Sequence, residues 1–321
     1  MTTATTNRRS FLQLALGAAA ASTVSIGRDG LLQTAAAQNH GPLTQTAIRD
    51  GLTLIGGAGG NSVLLQTSGG AALVDSGAPD RATDLVAAVR TRLGELRLDA
   101  LFNTHWHPAH TGGNDVLAPT AAKVIAHENT RLWMSTEYYV DWEDHTYSPR
   151  AAAALPNATF YTSDRQPLVL QVGDERIEYG YLQEAHTDGD IYVFFRERNV
   201  LVAGGAVAAG TYPILDYPTG GWIGGLVDAN QKLLDLTNPD TLIVPDAGPA
   251  QPRSHLEAQH EMLKVVRERV ENLMRKGRSI PEMLAADVTA GFDADWGDNR
   301  ERFVANMYNG LWWAGRLDGS L

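Results

Sequence analysis

Three histidines fall within six residues of this chain, in Thr104-His105-Trp106-His107-Pro108-Ala109-His110-Thr111-Gly112-Gly113-Asn114, although the whole sequence has only nine. Neutral imidazole offers a nitrogen lone pair near pH 7, which makes histidine the commonest metal ligand. His105 and His107 directly follow a predicted strand over 100–103, and a backbone turn there lets both rings face one ion. A third ligand must come from elsewhere. His186, in Glu184-Ala185-His186-Thr187-Asp188-Gly189-Asp190 just before a predicted strand over 191–195, is the candidate. Three protein ligands with an open vertex are a catalytic rather than a structural arrangement. Such a site lowers the pKa of a bound water to ~7, which permits hydrolysis of an ester, lactone or amide. His110 is the first candidate for an acid/base role beside it, with Asp188 and Asp190 next. The chain has no cysteine, so thiolate ligands, thiol nucleophiles and disulfides are excluded.

Positioning these groups takes strands and helices. Short apolar runs at 52–55, 63–66, 71–74, 100–102, 123–126, 191–195, 200–203 and 242–244 are bounded by Gly, Asp and Asn, as strands are. Residues 80–93 carry apolar side chains at helical spacing. From 254 to 276 one long helical period runs up to Gly277, and 280–288 and 300–313 read as two more helices. The expectation is an α/β domain over 38–253 and a helical C-terminal extension over 254–321, which packs on the domain or mediates a homo-oligomer. Trp312-Trp313 is read there as core or interface. Trp106 between two ligands, the rings of 131–147 (Trp133, Tyr138, Tyr139, Trp142, Tyr147) and Trp222 in a Gly-rich loop over 220–225 suggest an aromatic substrate pocket. Trp106 and Trp222 are its first candidates.

The start of the chain is an address. Arg8-Arg9-Ser10-Phe11-Leu12 leads into an apolar stretch to Ile26, and Ala35-Ala36-Ala37 offers a cleavage site. Residues 1–37 therefore read as a twin-arginine-like export signal, which predicts a periplasmic or secreted protein. Gln13, Ser22, Thr23 and Ser25 make the apolar stretch weak for a spanning helix, and no other segment is apolar and long enough to span, so no membrane span is expected once the signal is removed. At 44% hydrophobic and 20% charged, the remainder is a folding sequence rather than a disordered one. The net charge of −11 and the lack of any basic run argue against nucleic acid as a partner, and the expected partner of the metal site and its ring-lined pocket is a small-molecule substrate.

These motifs resemble the metallo-β-lactamase-fold superfamily, whose pattern is H-x-H-x-D-H followed by a distant His, a distant Asp and a last His. The resemblance implies a four-layer αβ/βα sandwich: two mixed sheets face each other, helices lie outside, and metal sits among loops at one edge. Val74-Asp75-Ser76-Gly77 is similar to the family's Asp-Thr-Gly, so Asp75, with Thr104, is expected to support the metal loop from behind the ligands. The pattern then departs at three places. Its first Asp is Ala109. Its second Asp falls at Gly205, in a register set by Tyr212-Pro213-Ile214-Leu215-Asp216. Its last His falls at Ala247 in Pro245-Asp246-Ala247-Gly248-Pro249. By this resemblance one cation keeps its ligands, His105, His107 and His186, and a second keeps only His110, with Asp216 and Asp246 as substitutes if loops shift. One ion is expected: zinc, with iron or manganese as alternatives. The leading expectation is an exported mononuclear metal-dependent hydrolase. The alternatives are a catalytically degenerate binding protein and a mononuclear iron oxidoreductase, which lacks the carboxylate it needs at Gly205.

Overall fold

The apolar runs pair into two sheets in the computed structural model, which describes residues 41–161, 167–297 and 299–318. The signal expected over 1–37 lies outside the described residues. The first sheet has the order β1 (Thr44–Arg49), β2 (Leu52–Ala58), β3 (Gly60–Thr67), β4 (Gly70–Val74), β5 (Ala100–Phe102), β6 (Val124–His127) and β9 (Ala158–Phe160). A small hairpin, β7 (Tyr138–Val140) and β8 (His145–Tyr147), interrupts it. The second sheet runs β10 (Leu168–Val172), β11 (Glu175–Tyr181), β12 (Ile191–Phe195), β13 (Val200–Gly204), β14 (Leu242–Pro245) and β15 (Gln251–Pro252). In both sheets the pairing is antiparallel through the first four strands and parallel at the next, β4 on β5 and β13 on β14.

Both faces of each sheet are covered, which explains runs that are apolar throughout rather than alternating. In β13, Val200 and Val202 enter the core between the sheets with Val74, Phe102 and Val244. Leu201 and Ala203 face the other way, into the helical layer. The helices are α1 (Ala82–Leu93), the short α2 (Pro108–Thr111) and α3 (Asn114–Leu117), α4 (Glu128–Ser135), α5 (Ile223–Leu236), α6 (Arg253–Met274), α7 (Ile280–Ala285), α8 (Asp293–Trp296) and α9 (Arg300–Asp318). Leu85 and Val89 of α1 pack on Leu64, Leu73 and Leu101 of the first sheet. Leu226 and Leu233 of α5, Leu263 and Val266 of α6, and Phe303, Val304 and Met307 of α9 share one core with Leu201 and Ile243 of the second. The order helix, sheet, sheet, helix gives the four layers, and the C-terminal helices belong to the last of them.

Three readings of the sequence change. The Gly-rich stretch over 220–225 is not all loop, because α5 begins at Ile223 with Gly224 and Gly225 in its first turn. Gly225, with Gly221 just before the helix, allows close approach to the segment carrying His186. A Cβ at Gly225 would lie 2.0 Å from the Glu184 carbonyl, and one at Gly221 would lie 1.9 Å from that of His186. Trp312 and Trp313 are not core, being 49% and 58% exposed on α9. Strands β10 and β11 carry Gln171, Glu175, Arg176 and Glu178 and so gave no apolar run. Among the described residues no helix is long and apolar enough to cross a membrane.

Candidate metal centre

The parallel strand pairs bring four chain segments to one edge of the sandwich. At the carboxyl end of β4 stands Asp75, after β5 the segment 103–110, after β13 Gly205, and after β14 Asp246. Ligand sites in α/β sheets gather at the carboxyl ends of such strands for this reason. The turn before β12 adds His186 from above. A cross-sheet tie closes the edge: the Asn61 backbone N–H donates to the Asp246 carbonyl (2.8 Å), and its amide donates to the carbonyls of Pro245 and Gly248 (2.9 Å each).

His105, His107 and His186 each present a ligand atom, all within 4.8 Å of one another. Each ring is oriented by its other contacts. His105 Nδ1 lies 3.0 Å from Thr104 Oγ1, and its Nε2 is buried without a partner. His107 Nε2 lies 3.0 Å from the buried Asp216 Oδ2, which also accepts from Thr219 Oγ1 (2.6 Å). That leaves Nδ1 of His107 for a cation. His186 Nδ1 has no hydrogen-bond partner and stands 3.5 Å from Asp190 Oδ1. A buried, unpartnered imidazole nitrogen is costly unless something occupies it. Burial first, and then the neighbouring rings of His110, His186 and His107, hold His105 well below the usual histidine pKa. It is therefore neutral, as a ligand must be. Burial would lower His186 as well, but the carboxylates of Asp190, Asp246 and Asp216 outweigh it and raise that ring.

Behind the ligands, Asp75 acts through Thr104. Its Oδ1 accepts the Thr104 N–H (2.8 Å), and its Oδ2 accepts both the Thr104 hydroxyl (2.7 Å) and His110 Nδ1 (2.8 Å). Asp75 adopts φ 61°, a left-handed conformation that costs a non-glycine residue about 1 kcal/mol and is tolerated best by Asp and Asn. This kink at the end of β4 turns the carboxylate under the histidine loop.

His110 is sandwiched between two carboxylates, Asp75 on Nδ1 and Asp246 Oδ1 on Nε2 (2.8 Å each). Burial alone would lower its pKa, but the charges of Asp246 and Asp75 outweigh burial and raise it to about 10. Reciprocally, burial would raise Asp246, yet the His110 imidazolium holds it down at about 2. Room for the ring comes from Gly60, where a Cβ would lie 2.2 Å from His110 Nε2. His105, His110 and Asp246 form a second group able to hold a metal. The two groups share His105, whose single free nitrogen can ligate only one ion. In the second group His110 and Asp246 are paired with each other (2.8 Å), whereas in the first His105 Nε2 and His186 Nδ1 have no hydrogen-bond partner.

The linkage gives a pH expectation for the metal-free protein. A pKa of His110 raised from 6.5 to about 10 contributes stability that is complete below pH 6.5 and lost as pH rises through 10. Depression of Asp246 from 3.8 to about 2 contributes stability present above pH 3.8 and lost as pH falls through 2. The Tm gap between wild type and His110→Ala should therefore narrow steadily between pH 7 and 10 in thermal melts. A constant gap across that range would show that His110 is not held protonated.

A cavity of about 450 Å³ opens onto these residues, lined by His107, His110, His186 and Asp246 on its floor. Ala109, Gly205 and Ala247, the three positions where the sequence pattern loses a ligand, also line it. A Cβ at Gly205 would come within 2.1 Å of His186 Nδ1, so a side chain there would have to displace the His186 ring.

Several expected residues lie elsewhere. Asp190 is committed to its own turn, accepting the N–H groups of His186 (2.5 Å) and Thr187 (2.8 Å) and the Thr187 hydroxyl (2.9 Å). Asp188 accepts from Trp133 Nε1 (2.7 Å). Burial, opposed by that bond, raises Asp188 to about 6. Neither carboxylate lines the cavity, which leaves His110 as the candidate acid. Trp106 is buried with its Nε1 on Thr219 Oγ1 (3.1 Å), and Trp222 packs against the helical core. The cavity's rings are instead Trp142, Tyr147 and Tyr212. Reading the sequence also passed over Asn61, Asn299 and Arg302, because a lone polar residue on a strand or helix carries no signal of the loop it will meet.

A family model described as the metallo-beta-lactamase superfamily matches residues 55–272. No curated protein matches the chain. Among solved structures, a metallo-beta-lactamase from Pontibacter korlensis is 19% identical, with a TM-score of 0.55 over 69% of this chain and 99% of its own. The DIM-1 metallo-beta-lactamase is 18% identical, with a TM-score of 0.55 over 70% of this chain and 98% of its own. These likenesses concern the fold.

Proposed function

Because the chain belongs to the metallo-beta-lactamase superfamily, we propose that it is a mononuclear metal-dependent hydrolase. It would cleave an ester, lactone or amide bond of a small molecule outside the cytoplasm, in the periplasm or after secretion through its twin-arginine-like signal. The observation that carries this reading is the set of three imidazoles, His105, His107 and His186, whose ligand atoms converge within 4.8 Å, two of them, His107 and His186, lining the cavity. A zinc ion there would supply Lewis acidity and activate water near neutral pH. The rest falls to the protein's own groups. Thr104 and Asp216 fix the rings of His105 and His107, as supporting carboxylates and hydroxyls do behind metal ligands. His110, paired through Nε2 with Asp246 and lining the cavity with it, would give its proton to the leaving group. Trp142 and Tyr147 cover the apolar part of the substrate. The exposed Trp312 and Trp313 of α9 would serve a contact between copies of the chain.

A second reading has its own support. His105, His110 and Asp246 make a two-histidine, one-carboxylate set of the kind that suits mononuclear iron. The carboxylate that Gly205 cannot supply comes from Asp246. Elemental analysis of protein purified without added metal, with a panel of chromogenic esters, lactones and amides, separates the readings. About one zinc per chain with turnover of one bond class is the expected result. Iron with oxygen-dependent turnover would favour the second reading. A chain that takes up no metal and cleaves nothing would be a binding protein, and the hydrolase reading would fall.

A further inference from the structure

The outer wall of the cavity comes from α9, which lies beyond residues 55–272 of the family match. Contacts on one face of this helix and the residue before it fix it to the loop after β13. The Asn299 amide clamps Tyr212 both ways, accepting its N–H and donating to its carbonyl (2.9 Å each). Phe303 stacks on the Tyr212 ring (centroids 4.8 Å, 15°). Asn306 is buried and donates to the Leu215 carbonyl (3.0 Å). Positions 299, 303 and 306 share one side of a helix, so the register of α9 against the cavity is fixed. That register sets Arg302 on the rim.

Arg302 is the cation of that rim. Its guanidinium lies 5.5 Å over the Trp142 ring, a geometry that orients the group without neutralising it. Trp142 Nε1 in turn faces Asp216 Oδ1 (3.3 Å), whose other oxygen holds His107. The sequence of contacts from Arg302 through Trp142 and Asp216 to His107 sets the guanidinium outward of the metal ligands. Among the described residues Arg302 makes no ion pair. Arg300, two positions earlier, pairs with Asp287 and Asp293. The other charged rim residue, Glu143, accepts from the Tyr147 hydroxyl (2.5 Å). In a chain of net charge −11, an unpaired guanidinium at the mouth of a cavity stands ready for an anion that arrives from outside.

We propose that Arg302 is a specificity-determining residue, selecting small molecules with a carboxylate at the end facing away from the histidines, while Trp142 and Tyr147 cover the apolar body between. The proposal rests on the hydrolase reading for turnover of such molecules, but not for their binding. Its test therefore begins without catalysis. Metal-free protein is titrated with phenylacetate and with its neutral counterpart phenylacetamide, followed by calorimetry and tryptophan fluorescence. Wild type should bind the carboxylate about ten-fold more tightly. Arg302→Gln should erase that preference, and Arg302→Lys should keep part of it. Equal affinities in wild type, or a preference that survives in Arg302→Gln, would overturn the proposal.

The second arm uses the metal-loaded protein with 4-nitrophenyl hemisuccinate and 4-nitrophenyl butyrate. The ratio of their KM values should collapse toward one in Arg302→Gln, with kcat for the hemisuccinate little changed. An unchanged ratio would count against the proposal. If neither ester is cleaved while the phenylacetate preference persists, the hydrolase reading fails and the recognition role of Arg302 stands.

Discussion

Replacing His186 with Ala should remove both the metal and the turnover. His186 is the one ligand of its set that comes from the second half of the sandwich, so nothing on the loop over 103–110 can substitute for it. Losing a group that merely orients a ligand costs about 10–100-fold in metal affinity, and losing the ligand itself should cost more. Two measurements check this. Metal content after dialysis should fall from one ion per chain to near zero. The rise in Tm that metal gives wild type should vanish, because an ion bound only to the native state stabilises it by mass action. The metal-free variant should melt below metal-free wild type, since Ala forfeits a buried ring and its attraction to the Asp190, Asp246 and Asp216 carboxylates, so the metal-induced rise in Tm, not the Tm itself, is the readout. Retained metal with retained activity would show that the cation sits in the group of His105, His110 and Asp246 instead.

The second large effect belongs to His110→Gln. Glutamine keeps much of the volume between Asp75 and Asp246 but carries no transferable proton. Metal content should stay at one ion per chain, while kcat should fall about 10²–10⁴-fold, the usual range for loss of a general acid. KM should change much less, because the cavity keeps its rings and Arg302. The decisive comparison uses leaving groups. A substrate whose leaving group departs without a proton, such as a nitrophenolate, should suffer less than an alkyl ester. Equal losses for both would remove His110 from the proton's path, and loss of metal would make it a ligand.

The sandwich was legible because its central strands are apolar on both faces, and runs such as 191–195 and 200–203 cannot be mistaken once Gly and Asn bound them. The strands that escaped, β1, β7 to β11 and β15, are short, lie toward sheet edges or carry charges, as Glu178 does between Arg176 and Arg196. The histidine cluster was legible from residue type and spacing. Their partners were not. Asp216 and Asp246 lie far along the chain from His107 and His110, and only a closed sandwich sets them at hydrogen-bond distance. Asp188 and Asp190 misled for the converse reason. Nearness in sequence to His186 suggested a role in the chemistry, whereas the tight turn before β12 draws Asp190 inward to hold the backbone and leaves Asp188 on Trp133.

Asn61 has a bearing on how this chain matures. It stands on the third strand of the first sheet and fastens the turn holding Asp246, which follows about 180 residues later. The histidine loop is made early during synthesis and the rest of the rim late, so neither half alone offers a complete nest for an ion. A metal held by His105, His107 and His186 would then be captured only once the second half has docked on the first. The ion would thereby act as a proofreader of complete assembly, retained only by copies whose halves have docked.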